Sequence, residues 1–135
     1  MGRPTGGAEP EPQRTPGGAR LVQNGSVLSE VLSQPGPTDS VFDVLASVIN
    51  LSTGTRVGIL GFAGGGVIAP LRAMGGRHDL AGVDLDDAGY KLFCEVSDDW
   101  RAAVKFSKAD AVQWLRSRRA PFDVLLEDLS IARDG

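Results

Sequence analysis

The stretch RVGILGFAGGGVIAPLRAMGGRHDLAGVDLD, from Arg56 to Asp86, decides the fold. It opens with Val57, Ile59 and Leu60, which are apolar on both sides of the pleat, as in a parallel strand covered on both faces. Glycines follow at once, and then a helical spacing from Val67 to Met74. Leu80 to Val83 form a second short strand. This order predicts a parallel α/β sheet.

The glycine turn and the acid after the second strand together predict a nucleoside site. Glycine has no Cβ, so the backbone can approach a ligand, and a turn that opens a helix can direct N–H groups at it. Asp84 follows Gly64 by about 20 positions, the interval at which a carboxylate can bind both ribose hydroxyls. The alternative is a glycine-rich turn that binds nothing.

Other nucleotide motifs fit the turn less well. In the dinucleotide pattern G-x-G-x-x-G, Ala63 stands where the second glycine belongs, although Gly66 fits the third. A phosphate-binding P-loop is excluded, because no Gly-Lys-Ser/Thr follows. A fragment of a nicotinamide-dependent oxidoreductase stays an alternative, disfavoured by Ala63 and by the lack of hydride-transfer machinery.

The segment ILGFAGGGVIAPL, from Ile59 to Leu71, resembles the first motif of class I S-adenosylmethionine-dependent methyltransferases. Within that superfamily it is most similar to the spermidine synthase branch of polyamine biosynthesis, whose turn usually reads Gly-Gly-Gly-Asp-Gly-Gly followed by Val and Leu. The resemblance covers roughly residues 21–130. It implies a Rossmann-like methyltransferase fold and S-adenosylmethionine, or its decarboxylated form, as the cofactor.

The resemblance also assigns roles to residues of this chain. Asp84 matches the acid that binds the ribose, and Asp110, in KADAVQWL, resembles the aspartate that meets the adenine amino group. Asp128, in FDVLLEDLS, is similar to the catalytic aspartate that deprotonates the attacking amine in aminopropyl transfer. Each acid has a simpler alternative as a solvated strand end or a helix N-cap. The full cofactor-binding set that we expect is Gly61, Ala63, Gly64, Gly65, Gly66, Asp84, Leu85, Asp110 and Ala111.

Several positions depart from the spermidine synthase pattern. Gly64 replaces the turn aspartate, Ile131 or Ala132 stands where a further acid is common, and Val41-Phe42 replaces a Tyr-His pair. The chain also ends at Gly135, so we expect it to be truncated after the fourth strand. Two functions stay open: a partial transferase of the methyltransferase or spermidine synthase kind, or a non-catalytic relative that serves as an interaction or nucleoside-binding module.

Three segments are expected along the chain. Residues 1–20 are rich in proline and glycine and predict a disordered leader. Residues 21–37 predict a short β-hairpin and a linker, because Asn24-Gly25 is the preferred pair for a type I′ turn. Residues 38–135 predict the partial Rossmann-like, nucleoside-binding domain.

The remaining elements follow from apolar spacing. Five residues predict one helical stripe that packs on the first strand: Val41, Phe42, Leu45, Val48 and Ile49. Trp100 to Phe106 predict a third strand and Phe122 to Leu126 a fourth. Neither proline nor lysine interrupts the fourth strand, so its outer edge is expected to recruit a second copy or a partner chain.

Composition limits the function classes. The 135 residues are 41% hydrophobic and 23% charged, which suits one globular domain. A net charge of −3 offers no electrostatic case for nucleic acid or an anionic membrane, and no apolar run is long enough to span a bilayer. Cys94 is the only cysteine and His78 the only histidine, so neither an intrachain disulfide nor a metal site is expected. We expect a cytoplasmic protein.

Overall fold

A computed structural model describes residues 9–63, 65–97, 104–118 and 121–127. Within these ranges the chain forms a small antiparallel sheet, a larger parallel sheet and the helices that cover them. The strands are β1 Glu11–Thr15, β2 Gly18–Gln23, β3 Ser26–Leu32, β4 Arg56–Leu60, β5 Asp79–Asp84, β6 Val104–Lys108 and β7 Val124–Glu127. The helices are α1 Val41–Leu51, α2 Ile68–Ala73, α3 Ala88–Val96 and α4 Ala111–Ser117.

The larger sheet is parallel, in the order β6-β5-β4-β7. Strand β4 begins the stretch from Arg56 to Asp86 and is central in this sheet. Its neighbours on either side are β5 and β7. Strands and helices alternate along the chain as a parallel sheet requires. The predicted α/β class is confirmed. The third strand extends further than expected, to Lys108, and the fourth ends at Glu127.

The small sheet begins earlier in the chain than expected. Its hairpin turn at Asn24-Gly25 has positive φ at both residues, 52° and 77°, as a type I′ turn requires, so the predicted hairpin is confirmed. The expectation of a disordered leader is wrong for residues 11–15, which form β1, and for 18–20, which lie in β2. Residues 1–8 of that leader lie outside the described ranges.

Backbone pairing explains why the amino-acid composition did not predict β1. Its side chains are mostly exposed, so it contributes little apolar burial, yet every residue is in register with β2, from Glu11 opposite Val22 to Thr15 opposite Gly18. Arg14 also forms an ion pair with Glu95 of α3. A strand can therefore form at a proline-rich sheet edge when a neighbouring strand accepts its hydrogen bonds.

One hydrophobic core joins the two sheets. Ala19, Leu21 and Val31 of the small sheet are buried in the same cluster as Val57 and Ile59 of β4. The small sheet also contacts α3 through β2 and β3. Apolar contacts of this kind fix the small sheet against the parallel sheet, so that it can form one wall of a site.

Helix α1 buries a different stripe from the predicted one. Phe42, Ala46 and Ile49 are buried, at a spacing of one helical face. Val41 and Val48, which belong to the predicted stripe, are 61% and 59% exposed. The prediction was wrong for these two residues because apolar side chains occupy most of this helix, so that periodicity alone cannot choose the buried face.

Asp43 and Ser40 hold the N-terminus of α1. The Ser40 hydroxyl accepts the Phe42 N–H, at 3.3 Å. The Asp43 carboxylate accepts the Thr38 N–H at 2.7 Å, the Thr38 hydroxyl at 2.9 Å and the Asp39 N–H at 2.9 Å. Burial raises the pKa of Asp43, but the hydrogen bonds from Thr38 and Asp39 outweigh that effect and leave the pKa below its ordinary value.

Replacing Asp43 by asparagine should lower the free energy of unfolding by about 1 kcal/mol or less at pH 7, since the carboxylate is partly exposed. Its folded pKa lies below the unfolded value of about 3.9, so this stabilisation is complete above that pH and disappears as the pH falls through the folded pKa. Urea unfolding between pH 7 and pH ~3 measures it. The neighbouring exposed Asp39→Asn is the control, and a pH-independent difference for Asp43→Asn would contradict the assignment.

Candidate functional site

A cavity of about 400 Å³ lies at the carboxyl ends of the central strands. Its size is within the range of small-molecule sites, and this end of a parallel sheet is where such ligands bind. The small sheet contributes one wall, through Leu21, Gln23 and Leu28. The other lining residues come from the glycine turn, the end of β5 and the loop after it, the first turn of α3, and the start of α4 with the loop before it, together with Pro10: Gly61, Ala63, Val83, Asp84, Leu85, Asp86, Gly89, Ala109, Asp110, Ala111 and Val112.

Some residues of the turn after β4 line the cavity, and others are buried in the core. Gly61 and Ala63 line the cavity, whereas the ring of Phe62 between them is only 1% exposed. Both flanking residues have positive φ, 81° at Gly61 and 48° at Ala63. Such a φ is uncommon for alanine and indicates local strain, which is held in place by the surrounding contacts.

Four backbone N–H groups of this turn already have partners. Gly61 and Phe62 donate to the Val83 carbonyl at 2.9 and 3.1 Å, and Gly65 donates to the Phe62 carbonyl at 2.9 Å. Ala63 donates to the Asp84 carboxylate at 2.9 Å. The expectation that the turn directs free N–H groups at a ligand is therefore wrong for these four residues. These hydrogen bonds rigidify the turn instead, so these four N–H groups are already occupied.

Gly65 and Gly66 serve the packing of the core. A Cβ on Gly65 would lie 2.7 Å from the Phe62 ring, and the residue has φ +68°. A Cβ on Gly66 would lie 2.8 Å from the Ser29 hydroxyl and 3.0 Å from the Phe42 ring. Neither residue lines the cavity, so the cofactor-binding role expected of them stays a prediction. Gly64, between Ala63 and Gly65, lies outside the described residues.

Sequence reasoning missed Phe62, the residue that anchors the turn. Its ring makes edge contacts with Tyr90, Phe93 and Phe106, at centroid distances of 5.6, 5.7 and 5.5 Å. Gly82 of β5 makes room for it, because a Cβ there would lie 2.4 Å from the Phe62 ring. The sequence did contain a signal, because a large aromatic residue within a run of glycines indicates that the turn packs against the core. A turn that only makes room for a ligand does not require such a residue.

Asp84 lies at the end of β5, half-buried, and lines the cavity, whereas its ribose-binding role stays a prediction. One carboxylate oxygen accepts the Ala63 N–H at 2.9 Å, and the other accepts the Asp86 N–H at 3.3 Å. Asp84 thus connects the turn after β4 with the end of β5. Each carboxylate oxygen has two lone-pair positions, so the same group can still accept hydrogen bonds from a diol.

Asp110, Ala111 and Leu85 also line the cavity. Asp110 is the N-cap of α4, where its carboxylate accepts the Gln113 N–H at 3.0 Å, so the simpler alternative of a helix cap is confirmed for this residue. Leu85 is 71% exposed at the rim. The expected catalytic residue, Asp128, lies outside the described residues.

The cavity wall carries negative charge. Asp84, Asp86 and Asp110 line it, and none of its described lining residues is a lysine or arginine. Carboxylates without neighbouring cations favour a cationic or neutral ligand rich in hydroxyl and amino donors. The same surroundings oppose a pyrophosphate, which would be held next to like charges.

The described ranges lack two other kinds of feature, a metal-ligating cluster and a membrane-spanning helix. Neither histidine, cysteine nor acidic side chains gather in a group of three or more that could ligate a metal ion. The helices in these ranges are also too short or too polar to cross a lipid bilayer.

Comparisons with known proteins agree with the fold. No protein-family model matches the chain, and a search of curated proteins finds no significant match. Among solved structures, 27 chains match. One is a SAM-dependent methyltransferase from Agrobacterium tumefaciens, similar over 88% of this chain, with a TM-score of 0.52 and 14% sequence identity. The chain has a Rossmann-like methyltransferase fold and spans 39% of that protein's length.

Proposed function

We propose that this chain binds S-adenosylmethionine, or its decarboxylated form, in the cavity beside Asp84. The observation that carries the proposal is the charge of the wall: three aspartates and, among the described lining residues, no basic side chain. S-adenosylmethionine carries a sulfonium cation and an ammonium group and has no phosphate. A nicotinamide dinucleotide would bring two phosphates to the same wall, which weighs against the oxidoreductase alternative.

Each lining residue has a role in this proposal. Asp84 accepts the ribose hydroxyls, and Asp110 accepts the adenine amino group while it still caps α4. Gly61 and Ala63 let the nucleoside lie against the backbone of the turn, because neither has a side chain beyond Cβ. Leu85 and Ala111 provide apolar surface for the adenine. The proximity of these residues around one cavity supports the assignment.

The chemistry that we propose is group transfer from the bound sulfonium cofactor. The bound cofactor would supply an electrophilic carbon next to its positive sulfur: an acceptor nucleophile would bond to that carbon, the carbon–sulfur bond would break with its electron pair going to sulfur, and a neutral thioether would leave. A methyl group moves in a methyltransferase, and an aminopropyl group moves in a spermidine synthase-like enzyme. Asp128, which follows Glu127 in the sequence, is the proposed base that takes the proton of the attacking amine.

A second candidate is a nucleoside-binding module without transferase activity. It is favoured by the use of all three lining aspartates as acceptors of backbone N–H groups. Asp84 bonds to Ala63, Asp86 bonds to Ala88 at 2.7 Å, and Asp110 bonds to Gln113. Carboxylates that hold the backbone in this way suit binding and positioning better than proton transfer.

Isothermal titration calorimetry with a panel of ligands tests the proposal. The panel consists of S-adenosylmethionine, its decarboxylated form, S-adenosylhomocysteine, adenosine and NAD. We expect the sulfonium compounds to bind more tightly than NAD, and a preference for NAD would overturn the assignment. Binding without transfer to any amine acceptor would favour the second candidate.

A further inference from the structure

One buried hydroxyl in the described part of the chain has no hydrogen-bond partner, and it lies beside the glycine turn. The Ser29 side chain of β3 is 0% exposed, and its hydroxyl neither donates nor accepts a hydrogen bond. A buried polar group without a partner lowers stability, because the same group bonds to water in the unfolded chain. Alanine at this position would avoid that cost, so the hydroxyl does not stabilise the ligand-free chain.

The Ser29 hydroxyl is next to Gly66, in the second half of the turn after β4. A Cβ on Gly66 would lie 2.8 Å from the hydroxyl oxygen. Gly66 is itself buried, and no group of the described residues accepts a hydrogen bond from its N–H. A hydroxyl that can accept and an N–H that can donate are therefore close together in one buried seam without a bond between them.

The rest of the turn contrasts with Gly66. Four of its N–H groups have partners, those of Gly61, Phe62, Ala63 and Gly65. Ala63 also has a φ of 48°, which is strained for alanine. Backbone strain and unpartnered buried groups in one short segment are expected where a second arrangement of that segment is used in function.

Both sides of the seam continue into the cavity wall. On the side of the small sheet, Ser29 lies opposite Leu21 in the register of β2 and β3, and Leu21 lines the cavity. On the side of the turn, Ala63 lines the cavity three residues before Gly66. A ligand that contacts Leu21 and Ala63 therefore acts on both elements that meet at the seam.

We propose that Ser29 is a positioning residue for the ligand of this cavity. When the ligand is bound, the second half of the turn shifts and the Gly66 N–H donates a hydrogen bond to the Ser29 hydroxyl. This bond joins the small-sheet wall to the turn. It favours the bound state because both groups are unpartnered in the ligand-free chain. For the identity of the ligand, S-adenosylmethionine, the inference rests on the proposed function.

Urea unfolding of the ligand-free chain tests the first half of the proposal. Ser29→Ala should raise the urea midpoint, since it removes an unpartnered hydroxyl. Ser97→Ala is the matched control: Ser97 is also 0% exposed, but its hydroxyl donates to the Phe93 carbonyl. This control should lower the midpoint. A lower midpoint for Ser29→Ala would overturn the proposal, because the hydroxyl would then have a partner in the ligand-free protein.

Calorimetry with S-adenosylmethionine tests the second half. Ser29→Ala should weaken binding by about 2- to 12-fold, the value of one neutral hydrogen bond, whereas Ser97→Ala should bind like the wild type. A serine with a purely structural role would not raise stability and lower affinity in one variant. Hydrogen exchange of the Gly66 amide should also slow at saturating ligand in the wild type and not in Ser29→Ala.

The outcomes separate this inference from the proposed function. Unchanged affinity in Ser29→Ala, with binding by the wild type, would overturn the role of Ser29 and leave the cofactor assignment standing. A wild-type chain that does not bind S-adenosylmethionine would overturn the proposed function and this inference with it.

Discussion

Replacing Phe62 by alanine should lower the free energy of unfolding by about 3–5 kcal/mol, the range for a fully buried phenylalanine. Typical domains have only about 5–15 kcal/mol in total. The ring is 1% exposed and contacts three other aromatic rings, and neither Gly65 nor Gly82 has a side chain that could fill the space left behind. Urea unfolding followed by circular dichroism measures the loss.

Phe106→Ala is the control for this prediction. Phe106 stacks on Tyr90 and contacts Phe62, but it is only half-buried, so its truncation should cost less. Equal losses for the two variants would mean that Phe62 has no special role in anchoring the turn. In the proposed function, Phe62→Ala should also weaken cofactor binding in whatever fraction stays folded, because Gly61 and Ala63 would lose their fixed positions.

Replacing Asp84 by alanine should weaken the binding of an adenosine ligand by roughly 10- to 150-fold. A carboxylate that accepts hydrogen bonds from ribose contributes about 1.5–3 kcal/mol, and 1.4 kcal/mol corresponds to a factor of ten. The alanine variant also leaves the Ala63 N–H without its acceptor. Calorimetry with S-adenosylmethionine measures the change in affinity.

Asp84→Asn separates the two roles of this residue. Its amide oxygen can still accept the Ala63 N–H, so the turn should keep its shape while the charge is lost. A ligand that lacks both ribose hydroxyls should lose much less affinity than adenosine in either variant. Equal losses for the two ligands would show that Asp84 acts on the turn alone and does not touch the ribose.

Local patterns predicted the parts of the fold that depend on local chemistry. The Asn24-Gly25 turn could be predicted because few other residue pairs adopt positive φ at both positions. The strands β4 and β5 could be predicted because a parallel strand inside a sheet is apolar on both faces. Asp84 followed from the same logic, since its distance from the turn is set by one helix and one strand.

The features that the sequence did not predict depend on contacts between distant parts of the chain. Strand β1 is stabilised by pairing with β2 and by the Arg14–Glu95 ion pair, and neither is visible in a proline-rich composition. The buried face of α1 depends on the position of α2, because both of its apolar faces satisfy helical periodicity. The glycines of the turn were interpreted as space for a ligand, whereas Gly65 makes space for Phe62.

Nuclear magnetic resonance during a titration with S-adenosylmethionine tests whether the cavity beside Asp84 is the cofactor site. With ¹⁵N-labelled protein, we expect saturable shifts of the amide signals of Gly61, Ala63, Asp84 and Ala111, which line the cavity. The amide signals of Val44 and Val48, on the exposed face of α1 and outside the cavity lining, should not move. Shifts that are absent at saturating ligand, or confined to residues away from the cavity, would contradict the assignment of this cavity as the cofactor site.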